Sequence, residues 1–330
     1  MPVNITIIGL GQIGASIGLA LADHKDKVTT LGHDKDFSIE QRAKKFGAVQ
    51  ATNHNLPSSV ENADLVILAL PVHQVRETFG YIAQDLRKDV VVVDTTPVKA
   101  EVVKWAKELL PETAHYVGIV PAIGPGHLEL SGAGLDSAKA DLFLKSMFLL
   151  AAPPGTPGEA VKLVSDVIGL LGASTLLTDF IESDGLMASA NLLPRLVSAV
   201  LLDATIDQPG WQEARKVAGL AYYRATSALS EAEDTEAVSL LSAQNRANVI
   251  RLLDQMAASL MDLRDELSSQ NDEAFQKRLA SAQKGRIRWL LERSQADWSH
   301  MPGEKTEKIS IMESLLGSKL GKIGKRPDKK

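Results

Sequence analysis

The sequence predicts an α/β fold, with a parallel sheet covered by helices on both faces and an all-helical second domain after it. Three observations carry that prediction. Short apolar, β-rich runs alternate with amphipathic stretches through the first half of the chain. Two of those runs, residues 65–70 and 90–93, are apolar without interruption, as expected for central strands buried on both faces. Beyond Asp179 the strand pattern stops and helical periodicity takes over.

The elements follow in order. Residues 4–8 form the first strand and run straight into Gly9-Leu10-Gly11-Gln12-Ile13-Gly14, after which Ala15, Ser16, Ile17, Leu19 and Ala20 open an amphipathic helix. Further strands fall at 27–31, 65–70, 90–93, 115–120 and 147–151. A helix over 158–171 stops at Gly172, a residue suited to a helix C-terminus, and the last strand spans 174–177. From 179 to 292 the pattern is one of long helices, broken at Pro209-Gly210 and at the polar turn Gln270-Asn271-Asp272. The expected division is a sheet domain over 1–178, a helical domain over 179–300 and a C-terminal extension over 301–330.

With 330 residues, 45% of them apolar, the chain can bury two ordinary cores. It has no cysteine, which excludes disulfides, thiolate nucleophiles and Cys-ligated zinc and fits a reducing, cytoplasmic setting. The start lacks the regions of a signal peptide, and no stretch reaches about 18 uninterrupted apolar residues, so neither export nor membrane insertion is expected. The net charge is -5, and basic residues concentrate in the tail from Lys319 through Lys322, Lys325 and Arg326 to Lys330, so nucleic-acid binding is not expected. That tail reads as a solvated, disordered segment.

The order strand, glycine turn, helix is that of a Rossmann-type dinucleotide site. Gly9 permits the tight turn, Gly11 lets backbone approach a pyrophosphate, and Gly14 lets helix and strand pack closely, with the amides around Gln12 and Ile13 facing the phosphates. Asp34 lies about 20 residues further on at the end of the second strand, where a carboxylate bonds the adenosine ribose. It favours NAD over NADP, because it repels a 2'-phosphate; His33 and Lys35 beside it offset that repulsion in part. Leu70-Pro71-Val72 and Asp94-Thr95-Thr96 end two central strands at the carboxyl edge, and their turns are expected to flank the nicotinamide.

These residues resemble the prephenate and arogenate dehydrogenases of tyrosine biosynthesis, over residues 5 to 267. The motifs that carry the resemblance are the glycine turn continuing into Ala15-Ser16, the segment 63–72, the turn Asp94-Thr95-Thr96-Pro97-Val98-Lys99, the segments 182–188 and 191–194, and the pair Asn245-Arg246. The resemblance implies NAD(P)-dependent hydride transfer to or from a small carboxylic acid, prephenate among the candidates. Departures fall on residues that carry the family's chemistry. Val120-Pro121-Ala122 stands where the family has His-Pro-Met, Pro97 replaces a serine, Ser183-Asp184 replaces a His-Asp pair, and Ser227 lies near the position of the arginine that clamps a substrate carboxylate.

Substitutes are available. His127 and Glu129 lie in the glycine-rich loop 121–134 expected to face the nicotinamide, and His127 is the candidate acid or base because imidazole titrates in the useful range. Asp184, Asn191 and Arg195 stand at helical spacings of seven and four and share a face that could bind a polar substrate or line an interface. Lys99 can hold an anion or cap the next helix, and Arg224, beside Tyr222 and Tyr223, is the substitute clamp or a surface residue of a packed cluster. His24, His33, His54, His73, His115 and His300 show no metal-ligand spacing, so no metal is expected. By analogy with helical second domains that pair across a two-fold axis, a homodimer is expected. The leading reading is a dehydrogenase; the alternative keeps the fold as a catalytically inactive dinucleotide-binding regulatory or sensor protein.

Overall fold

The computed structural model describes residues 2–130, 132–229 and 234–296, so the basic tail and His300 lie outside the described residues. Eight strands form one sheet: β1 (Val3–Ile8), β2 (Val28–His33), β3 (Ala51–Thr52), β4 (Leu65–Leu68), β5 (Val91–Asp94), β6 (His115–Pro121), β7 (Met147–Ala151) and β8 (Ser174–Leu177). Their order across the sheet is β3-β2-β1-β4-β5-β6-β7-β8. Six helices accompany them: α1 (Gln12–Leu21), α2 (Phe37–Phe46), α3 (Leu56–Val60), α4 (Val72–Ile82), α5 (Ala100–Leu109) and α6 (Gly158–Leu170). The chain therefore reverses its order of addition at β1, with β2 and β3 on one side and β4 onward on the other, which leaves a crevice at the carboxyl ends of β1 and β4.

The sequence pattern misses two features of the sheet. Strand β3 is two residues long, too short for any periodicity to register. Strand β7 runs antiparallel to β6 and parallel to β8, so the sheet is mixed. A parallel return needs a crossover element, and the described residues of the connection from Pro121 to Met147 offer two 3-10 turns, Pro125–His127 and Leu135–Ser137, and no helix longer than these.

The alternation of strand side chains divides the interior into two layers. Ile5, Ile7, Leu65, Ile67, Val91, Val93, Val117 and Ile119 face α1 and α6, where Leu135, Leu142 and Phe143 of the long connection fill the remaining space. Val66, Leu68, Val92 and Tyr116 face α4 and α5. Burial of these strands on both faces is why their sequence is continuously apolar.

The helical region consists of α7 (Phe180–Met187), α8 (Leu193–Asp203), α9 (Trp211–Val217), α10 (Leu220–Thr226), α11 (Thr235–Gln244), α12 (Arg246–Ser268) and α13 (Asp272–Gln295). Ala188, Leu192, Leu241 and Val249 from this region join the α4–α5 layer of the sheet. The first compact unit accordingly runs to Ser281 and contains both the sheet and the helices that pack on it; a second begins at Ala282. Between α7 and α8 the chain makes a π-helical turn, Ala188–Leu192. Pro194 follows: its ring would clash with the carbonyl one turn back and it has no N–H to donate, and the widened turn accommodates both.

The described residues contain one helical run apolar enough on average, though not uninterrupted, to reach membrane length. The run Phe180–Asp203 has a mean hydropathy of 1.5 over its most apolar window, 17% of which is buried, enough by length and composition alone to cross a bilayer. Charged residues interrupt it, which is why a search for an uninterrupted apolar stretch passes over it, and Ser183 and Asp184 within it are buried against the sheet unit.

Candidate functional site

Register places four strand ends in a row. Ile8 pairs with His33 on one side and with Leu68 on the other, and Leu68 pairs with Asp94. The residues that follow, Gly9, Asp34, Ala69 and Thr95, therefore emerge together at the carboxyl edge. Gly9 has φ of 90°, and a Cβ on it would stand 2.5 Å from the Ala69 carbonyl oxygen. A Cβ on Gly14 would stand 2.0 Å from the Gly9 oxygen, which fixes the close crossing of α1 over β1.

Gly11 differs from both: nothing lies within 4 Å of where its Cβ would be. It is the N-cap of α1, and intrahelical bonding begins with the Ala15 amide, which donates to the Gly11 oxygen at 3.0 Å. The amides ahead of Ala15 thus point along the helix axis without helical partners, under open space, at the positive end of the helix. Asp34 reaches the same turn, its Oδ2 accepting the Leu10 amide at 2.8 Å. A cradle of free amides with a carboxylate beside it suits a dinucleotide pyrophosphate and ribose.

Around this turn the other expected cofactor residues are unequal. Gln12 Nε2 donates to the Ser137 oxygen at 3.5 Å, tying the long connection to α1, and Ile13 packs against the core. Leu70 and Pro71 stay partly open at the edge of the sheet, and the Thr95 hydroxyl donates to the Leu68 oxygen at 3.3 Å. Val72 corrects the sequence reading: it is buried in the α4–α5 layer, as the first residue of a helix whose apolar face turns inward, and does not line the crevice.

Lys99 and Asp184 also land elsewhere than expected. Lys99 is fully buried, its Nζ donating to Asp94 Oδ1 at 2.7 Å and to the Asp94 oxygen at 3.1 Å. The same carboxylate accepts the Thr96 hydroxyl at 2.5 Å and, through Oδ2, the Tyr116 hydroxyl at 2.5 Å. Asp184 Oδ1 accepts the Lys99 amide at 2.6 Å and Oδ2 the Ala100 amide at 3.1 Å, so a residue of α7 caps α5. Both side chains are consumed inside the protein, which removes them from the groups that touch substrate.

Burial governs the electrostatics of this cluster. Desolvation pushes the Lys99 ammonium below its ordinary range against the pull of Asp94, and raises Tyr116 well above its own, with the Asp94 charge adding to the rise. Desolvation also raises Asp184, opposed by the two amide bonds it accepts.

The expected face of Asp184, Asn191 and Arg195 does not exist. The π turn inserts a wider step between 184 and 191, so a seven-residue spacing no longer returns to the same side. Arg195 folds back to donate to the Asn191 oxygen at 2.7 Å. Arg224 is exposed on α10, while its neighbour Tyr222 packs with Trp211 and bonds Thr205. In the long connection Glu129 is exposed, while His127 Nε2 lies 3.0 Å from Asp141 Oδ1.

Among the described residues, sequence patterning misses several buried polar atoms without a hydrogen-bond partner, among them Ser183 Oγ, Gln244 Oε1, His73 Nδ1 and Ser146 Oγ. Ser183 and Gln244 each precede a residue of the same clasp, in which Asn245 Nδ2 donates to the Asp184 oxygen at 2.6 Å. It also misses His33, Glu40 and His54, which adjacent strands and α2 bring together although they are scattered along the chain. Only the buried Asp94, a carboxylate closing an apolar run, leaves a signal a reader could have used.

Residues 17–177 match the model of the prephenate dehydrogenase nucleotide-binding domain. Over 288 residues the chain is 26% identical to the cyclohexadienyl dehydrogenase of Zymomonas mobilis, spanning 86% of this chain and 95% of that protein. The chain is similar to the prephenate/arogenate dehydrogenase family in its nucleotide-binding segment and, against this relative, over most of its length. Against the prephenate dehydrogenase of Bacillus subtilis it is 27% identical over 203 residues, spanning about half (53%) of that relative's length. The fold is that of the prephenate dehydrogenase of Aquifex aeolicus, solved with hydroxyphenyl propionate and NAD+, at a TM-score of 0.76, 21% identity, 87% of this chain and 98% of that one. Asp34 lies within the matched segment and the glycine turn just ahead of it; Val120 is buried in β6 and Ser183 in α7.

Proposed function

We propose that the protein is an NAD(P)-dependent dehydrogenase that transfers a hydride between the nicotinamide and a small carboxylic acid, prephenate or a close relative. The observation that carries this reading is the open, amide-lined turn at Gly11 with Asp34 bonded across it, immediately ahead of the matched nucleotide-binding segment, residues 17–177, that contains Asp34. The amides of residues 11–14 hold the pyrophosphate, Asp34 holds the ribose, and its carboxylate favours NAD over NADP. Leu70, Pro71 and Thr95 flank the nicotinamide end. The bound cofactor supplies the hydride acceptor or donor.

His127 serves as the acid or base, oriented by Asp141. Ser183 Oγ and Gln244 Oε1, buried and unpaired beside the Asp184–Asn245 clasp, are the polar contacts offered to substrate, since a buried polar atom left unpaired costs about 1–3 kcal/mol until something bonds it. Glu129, Asn191, Arg195 and Arg224 remain secondary substrate candidates. The test is spectrophotometric: purified protein with NAD+ or NADP+ and prephenate, arogenate and 3-hydroxy acids, followed at the nicotinamide absorbance. Dinucleotide binding without turnover on any of them would favour the inactive sensor.

We further propose a cytoplasmic homodimer through the helical region, with no nucleic-acid or membrane partner. Ile181, Leu186 and Val200 are exposed along α7 and α8, and a second copy covers that face. Sedimentation velocity on the full chain measures it.

A further inference from the structure

Next to the ribose-binding carboxylate, three side chains from separate segments meet. His33 closes β2, Glu40 lies on α2 and His54 follows β3. Glu40 Oε1 is 3.3 Å from His33 Nδ1 and 3.1 Å from His54 Nδ1, and the three ligand atoms lie within 4.8 Å of one another. We propose that His33, Glu40 and His54 form a binding site for one divalent transition-metal ion of the zinc class.

The spacing suits the ion. Zinc holds imidazole nitrogen and carboxylate oxygen at about 2.0–2.2 Å in tetrahedral geometry, which sets neighbouring ligand atoms roughly 3.3–3.5 Å apart. The two observed Glu40 distances need only a slight expansion to reach that range, and the edge between the two imidazole nitrogens, at most 4.8 Å, closes to it by rotation of the half-exposed His54 ring. Two imidazoles with one carboxylate select a zinc-class ion over magnesium or calcium, which take oxygen ligands.

The frame is rigid where it must be and open where an ion must enter. Glu40 is buried and held by the Asp34 amide, which donates to its Oε1 at 3.0 Å. His33 is fixed in the sheet, with Nδ1 3.0 Å from the Asn53 carbonyl oxygen. His54 is half exposed and its ring is braced edge-on by Phe37 at 5.4 Å, leaving a solvent side for entry and for a water as fourth ligand. Binding places each imidazole proton on Nε2 and frees the Nδ1 lone pairs; Glu40 enters ionised, and the His33 Nδ1 contact with the Asn53 oxygen and both imidazole contacts with Glu40 are exchanged for bonds to the ion.

A consequence rests on the dinucleotide reading, although the metal site itself does not. Two positive charges beside Asp34 offset its repulsion of a 2'-phosphate and so narrow the preference for NAD over NADP.

The test uses the full chain, stripped with a chelator and free of dinucleotide, titrated with Zn2+ by calorimetry and with Co2+ by visible absorption. The expected result is one equivalent bound at micromolar or tighter Kd, with the intense absorption of tetrahedral cobalt. His54→Ala and Glu40→Gln should each weaken binding by roughly 100-fold or more. His54 is half exposed, so its variant keeps the fold, and the carboxamide oxygen introduced by Glu40→Gln still accepts the Asp34 amide. Zinc binding weaker than about 100 µM, or tight binding that both variants leave unchanged, would overturn the proposal.

Discussion

Asp184 in α7 accepts the backbone amide of Lys99 at 2.6 Å, so the first helix of the helical region caps a helix of the sheet region. The contact is two-sided, because the Ala100 amide binds the other oxygen and Asn245 holds the Asp184 carbonyl. A cap normally comes from the residue preceding its helix; here that residue is Lys99, whose side chain points inward to Asp94. The two regions are therefore joined by the polar groups that each would otherwise leave unpaired.

Asp184→Ala should destabilise the fold by about 2–3 kcal/mol, combining a lost cap with two orphaned amides near a buried lysine. Asp184→Asn should cost less, because one amide keeps its acceptor and burial already disfavours the charge, as the raised Asp184 pKa indicates. Denaturant unfolding of the three proteins measures both, and an Ala variant as stable as the parent would contradict the capping role.

Lys99→Met should cost roughly 3–5 kcal/mol, since it strands the Asp94 carboxylate in a dry site with only hydroxyl and amide donors. If Lys99 acted on substrate, the loss would appear in turnover instead. The expected result is a lowered unfolding midpoint with the KM for any substrate unchanged in the folded fraction.

How legible these features were depends on how local their cause is. The strands β1, β4 and β5 and the glycine turn were readable because period, apolar runs and glycine are properties of adjacent residues. The antiparallel β7 was not, because direction follows from a connection without a crossover helix, and no residue in β7 encodes it. Lys99 and Asp184 were singled out correctly as unusual but assigned to the wrong task, since their partnership spans 85 positions in sequence. The face drawn through Asp184, Asn191 and Arg195 failed because a uniform helix was assumed across Pro194, where the turn widens. Glu40 carried no signal, being one acidic residue on a polar helix until the sheet sets His33 and His54 beside it.

Stability should respond to acid through a pair far from the crevice. Arg278 grips Glu266 with Nε at 3.0 Å from both carboxylate oxygens, and these bonds hold Glu266 below the ordinary value of 4.5. A carboxylate with a depressed folded pKa contributes stability above its unfolded value, and that contribution disappears as pH falls through the folded one. Glu266→Gln should therefore melt lower than the parent near neutral pH, with the gap closing below pH 4.5. Thermal scans at several pH values, run at low salt, would show a constant gap if the pair were idle.

His127→Ala should reduce turnover by about 10²- to 10⁴-fold if this imidazole moves the proton, and Asp141→Asn should lower it less, through orientation alone. Dinucleotide affinity should be unchanged in both. Parent-like rates in His127→Ala would return the histidine to the surface of its loop.

The three glycines of the turn should separate by role. Gly14→Ala would force a methyl into the Gly9 carbonyl, so it should lower stability as well as binding. Gly9→Ala adds strain at positive φ to a contact with Ala69. Gly11 has neither problem: its φ is -73° and the space at its Cβ is empty. Gly11→Ala should thus unfold like the parent yet bind dinucleotide at least about 10-fold more weakly, because the methyl occupies the approach a pyrophosphate needs. Binding unchanged in a stable Gly11→Ala protein would mean that the open space above α1 serves something other than a phosphate.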